Sequence, residues 1–342
     1  MLGDKRTEHT LLEDLGWSTI NRKLFNTGIK SVDPRITHAC DHECPHCWAN
    51  LYGKHMSLNM FDKVLKLGKL SGIEIIQFTG GEPTLNRGMI HMAQAAKSNN
   101  FKIILRTHGR NLYKPFDDSS IETWAEKCVE LFDEIVVSID GTPQINFLMR
   151  PVINYQKLSR HGRSDKDRIA SRQFEETVLG YQALSSAAQL RTNITLKINT
   201  VITALNMHDM EDFGQLLSNK VIKDGLRIDW WEFTQVFPSP ENNKEEQSTY
   251  VVDNGQFLKA VALASNYSQN ISKQAKPITS ARCLIVDENG RTYMGGQENL
   301  ELGSLKEDNI NTICSKISSY ERMTSLSSQR AEKYLVYNAI KN

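Results

Sequence analysis

The 342-residue chain reads as an α/β protein, a partial (β/α)6 barrel of parallel strands with a small C-terminal β-hairpin plus helices. Three observations predict this. Between Arg35 and Pro238, short apolar, β-branched runs alternate with longer stretches of helical period, the mark of βα units around a parallel sheet. Several of those runs are apolar nearly throughout, as strands covered on both faces should be. Hydrophobic residues make up 39% and charged residues 24%, which disfavours collagen-like, disordered and membrane classes.

The strand candidates, in order, are Arg35 to Ala39, Ile73 to Thr79, Lys102 to Thr107, Glu134 to Asp140, Ile194 to Thr203 and Ile228 to Phe237. Leu58, Phe61, Val64 and Leu65 fall at helical spacing behind Ser57, a capping residue, and Gly72 closes that segment. Further helical patterns run over Met89 to Ala96, Ile121 to Leu131, Phe174 to Leu190 and Met210 to Lys220. Six such units form an open barrel with its site at the C-terminal ends of the strands. Paired Trp230 and Trp231 should point to opposite faces of the sixth strand.

Residues 151–172 interrupt the pattern with Lys157, Arg160, Arg163, Lys166, Arg168 and Arg172 against Asp165 and Asp167. This reads as a basic loop insertion, either solvated or a lid over the site. After Pro238 comes a polar linker, then a helix from Gln256 to Ala264. Arg282 to Met294 reads as a hairpin turning at Asn289-Gly290, and the tail from Lys306 is helical in pattern. The expected organisation is an N-terminal extension (1–30), a barrel (31–240) and a capping region (241–342).

Charge is balanced, 41 Lys plus Arg against 40 Asp plus Glu, so there is no broad positive field for a nucleic-acid backbone. No run approaches the length of a spanning helix, and the N-terminus has no apolar signal segment. Three of the six cysteines, Cys40, Cys44 and Cys47, lie within eight residues, a metal or cluster pattern of a reducing compartment rather than a disulfide scaffold. A cytoplasmic protein without a membrane segment is expected.

The triplet forms C-x3-C-x2-C directly after the first strand. Three thiolates from one loop can hold three corners of an iron-sulfur cubane, leaving one iron open. Alternatively they hold zinc together with a nearby histidine, His38, His42, His46 or His55, which would make a zinc-binding interaction module. The second strand ends in Gly80, Gly81, Glu82 and Pro83. Glycines there let the backbone approach a ligand, and the carboxylate accepts hydrogen bonds from an ammonium group.

Together these motifs resemble the radical S-adenosylmethionine (SAM) enzymes, whose signature is C-x3-C-x-aromatic-C followed by G-G-E-P; His46 stands at the aromatic position. The resemblance implies one 4Fe-4S cluster on Cys40, Cys44 and Cys47, with SAM chelating the open iron. It implies that Gly80, Gly81 and Glu82 receive the methionine ammonium. It places Ser138 and Asp140 near the ribose, Arg150 on the SAM carboxylate, and Asn199 and Val201 by the adenine. Thr107-His108-Gly109 replaces the family's Thr-Asn-Gly. The implied partners are an electron donor such as flavodoxin or ferredoxin and a peptide or small-molecule substrate. The implied reaction is hydrogen abstraction by a 5′-deoxyadenosyl radical.

The downstream pattern resembles the SPASM and twitch subgroup, which modifies peptides, proteins and small natural products. Only Cys283 and Cys314 remain for an auxiliary cluster, too few, so the C-terminal element reads as a degenerate twitch cap. Cys283 itself is then a core residue or a radical-quenching donor. A second resemblance is to viperin-like nucleotide dehydratases, through Lys197 in KINTVITALN. Asp229 and Glu232 weaken it, because carboxylates beside a triphosphate repel.

Overall fold

The computed structural model describes residues 29–319 except 48, 50, 118–119, 154–162, 190, 192, 237–248, 268–271, 277–282 and 295–299. The N-terminal extension up to residue 28, the linker after Pro238 and the end of the C-terminal tail therefore lie outside the described residues. So do Lys157 and Arg160 of the basic insertion.

All six expected strands form. They are β1 (Ser31–Thr37), β2 (Ile75–Gly80), β3 (Lys102–Thr107), β4 (Glu134–Ser138), β5 (Thr195–Ile202) and β6 (Trp230–Gln235). They pair in chain order, each parallel to the next. Four more strands extend this sheet to ten, in the order β10-β9-β8-β1-β2-β3-β4-β5-β6-β7. β7 (Ser272–Lys276) joins β6 in parallel. β8 (Cys283–Val286) joins the other edge, parallel to β1. β9 (Arg291–Met294) and β10 (Leu300–Ser304) follow antiparallel. The expected hairpin is thus β8 and β9, turning at Asn289-Gly290 with Gly290 at φ +86°, but it continues the barrel sheet.

The helices are α1 (Leu58–Leu70), α2 (Met89–Ser98), α3 (Trp124–Leu131), α4 (Pro143–Met149), α5 (Arg163–Ala188), α6 (Met210–Asp224) and α7 (Asn254–Ser265); a last one, α8, covers 310–319. Ser57 caps α1 by accepting from Met60 N. Capping boxes start α3 (Thr123 and Glu126) and α7 (Asp253 and Gln256). One expectation is corrected here, and one helix, α4, is added to those expected. Residues 163–172 of the basic insertion are not loop: they are the first part of α5, whose apolar period starts only near Phe174 although its opening residues are adequate helix formers. The short α4 begins at Pro143, a favoured first-turn residue, within a stretch too brief to show periodicity.

Alternation along each strand divides the molecule into two faces. Val32, Ile76, Phe78, Ile103, Leu105, Ile135, Val137, Leu196, Ile198, Trp231 and Phe233 belong to the hydrophobic core under the helices. Trp231 meets Phe213 edge-on at 5.4 Å, and its Nε1 donates to Thr200 Oγ1 at 2.9 Å. The opposite face is the barrel interior and is polar. Register brings Asp33, Arg35, Gln77, Thr79, Arg106, Glu134, Lys197, Asn199, Trp230 and Glu232 to it. Trp230 lies there under Lys197 Nζ at 5.9 Å, so the two tryptophans do face opposite ways. No described helix is long and apolar enough to cross a membrane.

Candidate active site at the C-terminal ends of the strands

The loop after β1 carries Cys40, Cys44 and Cys47, all free and half-buried. Burial pushes the Cys40 thiol up to about 12 and raises Cys44 as well; charge at Cys47 raises both, and charge at Cys40 raises Cys44. The three thiols therefore converge. They do not, however, gather within the 4.8 Å that a single ion would need; among the described residues the one such group is Cys40, Asp41 and His42. Two thiolates on one zinc stand at most twice ~2.3 Å apart. A donor set of three sulfurs, converging but spaced more widely, fits a polynuclear cluster and does not assemble the zinc site. Asp41 and His42 are already committed elsewhere.

Those commitments build the floor of the site. His108 Nδ1 accepts from Arg110 N at 3.1 Å, which leaves Nε2 to donate to Asp41 Oδ1 at 2.7 Å. Asp41 also receives His42 Nδ1 at 3.2 Å and Arg110 Nη1 at 3.1 Å. Although burial opposes ionisation, the bonds from His108 and His42 hold the Asp41 carboxyl well below the usual carboxylate range. Gln173 on α5 bridges His42 Nε2 and the Arg150 carbonyl. His108, the departure from the family pattern, thus fastens the cysteine loop to the end of β3.

Glu82 is 1% exposed and accepts four hydrogen bonds. Oε1 accepts from Thr84 N, Thr84 Oγ1 and Thr107 Oγ1 at 2.7–3.1 Å, and Oε2 accepts from His108 N at 2.9 Å. The carboxylate ties three segments together. Gly80 and Gly81 lie against the backbone of the cysteine loop: Gly81 N donates to Thr37 O at 2.7 Å and Glu82 N to Ala39 O at 2.8 Å. A Cβ on either glycine would collide with the Thr37 or Ala39 carbonyl oxygen. Close approach of backbone is what the two glycines provide here.

The wall is made by β4, β5 and α4. Asp140 is fully buried; Oδ1 accepts from Val201 N at 2.8 Å and Oδ2 lies 2.6 Å from Arg150 Nε. Asn206 Nδ2 spans the Asp140 and Val201 carbonyls at 2.8 and 2.7 Å. Ser138 is beside Asn199 in the sheet, whose Oδ1 accepts from Thr234 Oγ1 at 2.9 Å. His46 Nε2 stands 3.7 Å from Asp140, and burial holds this imidazole down at about 4, neutral, against the pull of that carboxylate. The Arg150 charge acts directly on Cys44. The structure therefore brings the cysteine loop, the Gly80-Gly81-Glu82 turn, Thr107, Ser138, Asp140 and Arg150 to the C-terminal end of the barrel, whereas Lys197, Asp229 and Cys283 lie toward the opposite end of the strands. Local reading misses Asp41, Arg110 and Gln173, which bond residues far off in sequence.

Residues 35–171 match the family model of the Radical SAM superfamily. With the cysteine loop, the Gly-Gly-Glu-Pro turn and the parallel barrel in place, the match makes residues 35–171 a radical SAM domain; the superfamily uses a 4Fe-4S cluster and SAM. Two of the chain's relatives are S-adenosylmethionine-dependent nucleotide dehydratases. The one from Selenomonas ruminantium is 27% identical over 54% of this chain and 61% of its own length. That from Flammeovirga pacifica is 25% identical over 82% of this chain and 90% of its own. The chain thus spans under two thirds of the first relative. Among solved structures, Streptococcus suis SuiB bound to S-adenosylmethionine aligns with TM-score 0.57 at 13% identity, covering 91% of this chain and 72% of that one. Native anSMEcpe with bound AdoMet and Cp18Cys peptide aligns with TM-score 0.51 at 15% identity, covering 83% and 80%. These two share the fold.

Proposed function

We propose that the protein is a radical SAM enzyme acting on a nucleotide in the barrel interior, in a dehydration like the one for which its relatives are named. The observation that carries this reading is the similarity to the Flammeovirga pacifica dehydratase along 90% of that enzyme's length. Cys40, Cys44 and Cys47 would hold the cluster, with SAM on its open iron. When bound, the pair supplies a 5′-deoxyadenosyl radical that removes hydrogen from an unactivated carbon.

The chain's own residues provide orientation and shielding. Gly80 and Gly81 bring backbone against the cysteine loop, where the methionine ammonium would be received, with Glu82 fixing the turn. Arg150 is set by Asp140 beside the thiols, available to the SAM carboxylate through the rest of its guanidinium. Ser138, Asn199 and the Val201 backbone, held by Asp140 and Asn206, form the wall expected to face ribose and adenine. Thr107 and His46 complete it. An electron donor such as flavodoxin or ferredoxin would reduce the site.

The electrostatic objection to a nucleotide weakens once the carboxylates are placed. Asp229 precedes β6 and is occupied by Arg227 at 2.9 Å and by Leu196 N. Glu232 does line the interior, where it shares Lys197 with Glu134 at 2.9 and 2.8 Å and has Arg106 at 3.9 Å, so two cations balance two carboxylates. Arg106 keeps 38% of its side chain exposed, against 12% for Lys197, and is the more accessible of the two cations for an anionic substrate.

The test is anaerobic incubation of reconstituted enzyme with SAM, reductant and each nucleoside triphosphate in turn. One of them should stimulate 5′-deoxyadenosine release several-fold and yield a product lighter by one water. Stimulation by a peptide and by no nucleotide would return the substrate to the peptide and natural-product class.

A further inference from the structure

We infer that Glu288, on the turn between β8 and β9, is a positioning residue for the cluster-binding loop and makes the C-terminal hairpin part of the cluster site. The loop leaves the sheet at Thr37 and returns at His55, where the two ends close on each other. His38 N donates to Lys54 O at 2.7 Å, Gly53 N to His38 O at 3.3 Å, and Thr37 Oγ1 meets His55 Nδ1 at 2.8 Å. All three cysteines lie between these ends.

One carboxylate, 236 residues from Tyr52 in sequence, grips both. Tyr52, on the returning side, donates its hydroxyl to Glu288 Oε2 at 2.8 Å. His38, on the leaving side, places Nε2 3.0 Å from the same oxygen, with both side chains 2% exposed. The His38 and Tyr52 rings stack at 4.3 Å. The other oxygen of Glu288 takes the Asn289 amide. A carboxylate is buried at such a position only when it is paired, and all its pairing here is spent on the loop and the turn.

The turn is itself rigid. Asp287 Oδ1 accepts from Asn289 N and Arg291 N, both at 2.9 Å. Gly290 accepts from Leu305 N at 2.7 Å and packs so tightly on Met60 and Leu305 that a Cβ would meet the Met60 sulfur at 2.7 Å. The grip is therefore anchored to α1 and to the segment after β10. A solvated Asp-Glu-Asn-Gly turn would need no such burial; Glu288 is 6% exposed.

The inference rests on the cysteine loop as the cluster site and is independent of the substrate. Its test uses anaerobically reconstituted holoenzyme, following how fast a ferrous chelator bleaches the cluster and how the electron paramagnetic resonance of the reduced cluster responds to SAM. Residues that orient metal ligands typically contribute about 10- to 100-fold in affinity. Glu288→Ala should accelerate bleaching about tenfold or more and alter the SAM response, while Glu288→Gln, which still accepts from Tyr52, should recover most of both. A Glu288→Ala enzyme with wild-type bleaching and spectrum overturns the inference. If Glu288→Ala does not fold, Tyr52→Phe decides: it deletes one hydroxyl from a side chain 45% exposed, and should speed bleaching several-fold, whereas a wild-type rate overturns the grip. Wild-type protein that takes up no cluster overturns the cluster site itself, a different result from a loaded wild type matched by its variant.

Discussion

Asp140 meets two demands with one carboxylate: Oδ1 fixes the Val201 backbone while Oδ2 fixes Arg150 beside the thiols. Single residues of this kind, rather than a row of free ligands, make the site. Glu82 accepts from Thr84, Thr107 and His108 and so fixes the turn whose backbone faces the loop. The motif residues were legible in sequence because their spacing is local. Asp41 and His108 were not legible as a pair, since their bond joins positions 67 apart.

The interior holds a titratable counterpart in Asp33 on β1. Burial, partly offset by Arg106 and Arg35, raises its carboxyl from 3.8 to about 6. Between about pH 4 and about pH 6 the folded protein therefore holds a proton that the unfolded chain has released, so stability falls as pH rises through that window. Asp33→Asn lacks this loss. Its stability relative to wild type, measured by urea unfolding, should rise from near zero at about pH 4 to a plateau above about pH 6. The plateau is at most about 3 kcal/mol. A flat difference across the window would contradict the placement of Asp33.

Among elements, the turn after β2 and the loop after β1 depend on each other through two glycines. A methyl group on Gly81 would collide with the Ala39 carbonyl and stand 3.2 Å from the Cys40 Cβ. Gly81→Ala should lower the melting temperature by several degrees, as roughly 1–3 kcal/mol of overpacking does, and reduce iron retained per chain. Unchanged iron content would mean the two segments are not coupled. Strand positions were readable because both-sided burial produces apolar runs. The start of α5 was not, because Ile169 and Ala170 are the only apolar residues of 163–172, too few to show a period. The edge that β8 chooses was also hidden: its four buried residues announce a strand, yet nothing local says that its partner is β1.

At the scale of the whole molecule, one ten-stranded sheet runs from the barrel into the C-terminal hairpin, and the hairpin turn reaches the cysteine loop through Glu288. The balanced charge of the chain conceals a polar interior of paired cations and carboxylates, with Arg106 the more open of the two cations around Glu232. Every role proposed for the site depends on the three cysteines acting together in SAM cleavage. The direct measurement is 5′-deoxyadenosine released from SAM by anaerobically reconstituted, reduced protein, compared with Cys44→Ala prepared identically. Release by the wild type and its loss in Cys44→Ala is the predicted result; equal release by both, or none by a fully iron-loaded wild type, would contradict it.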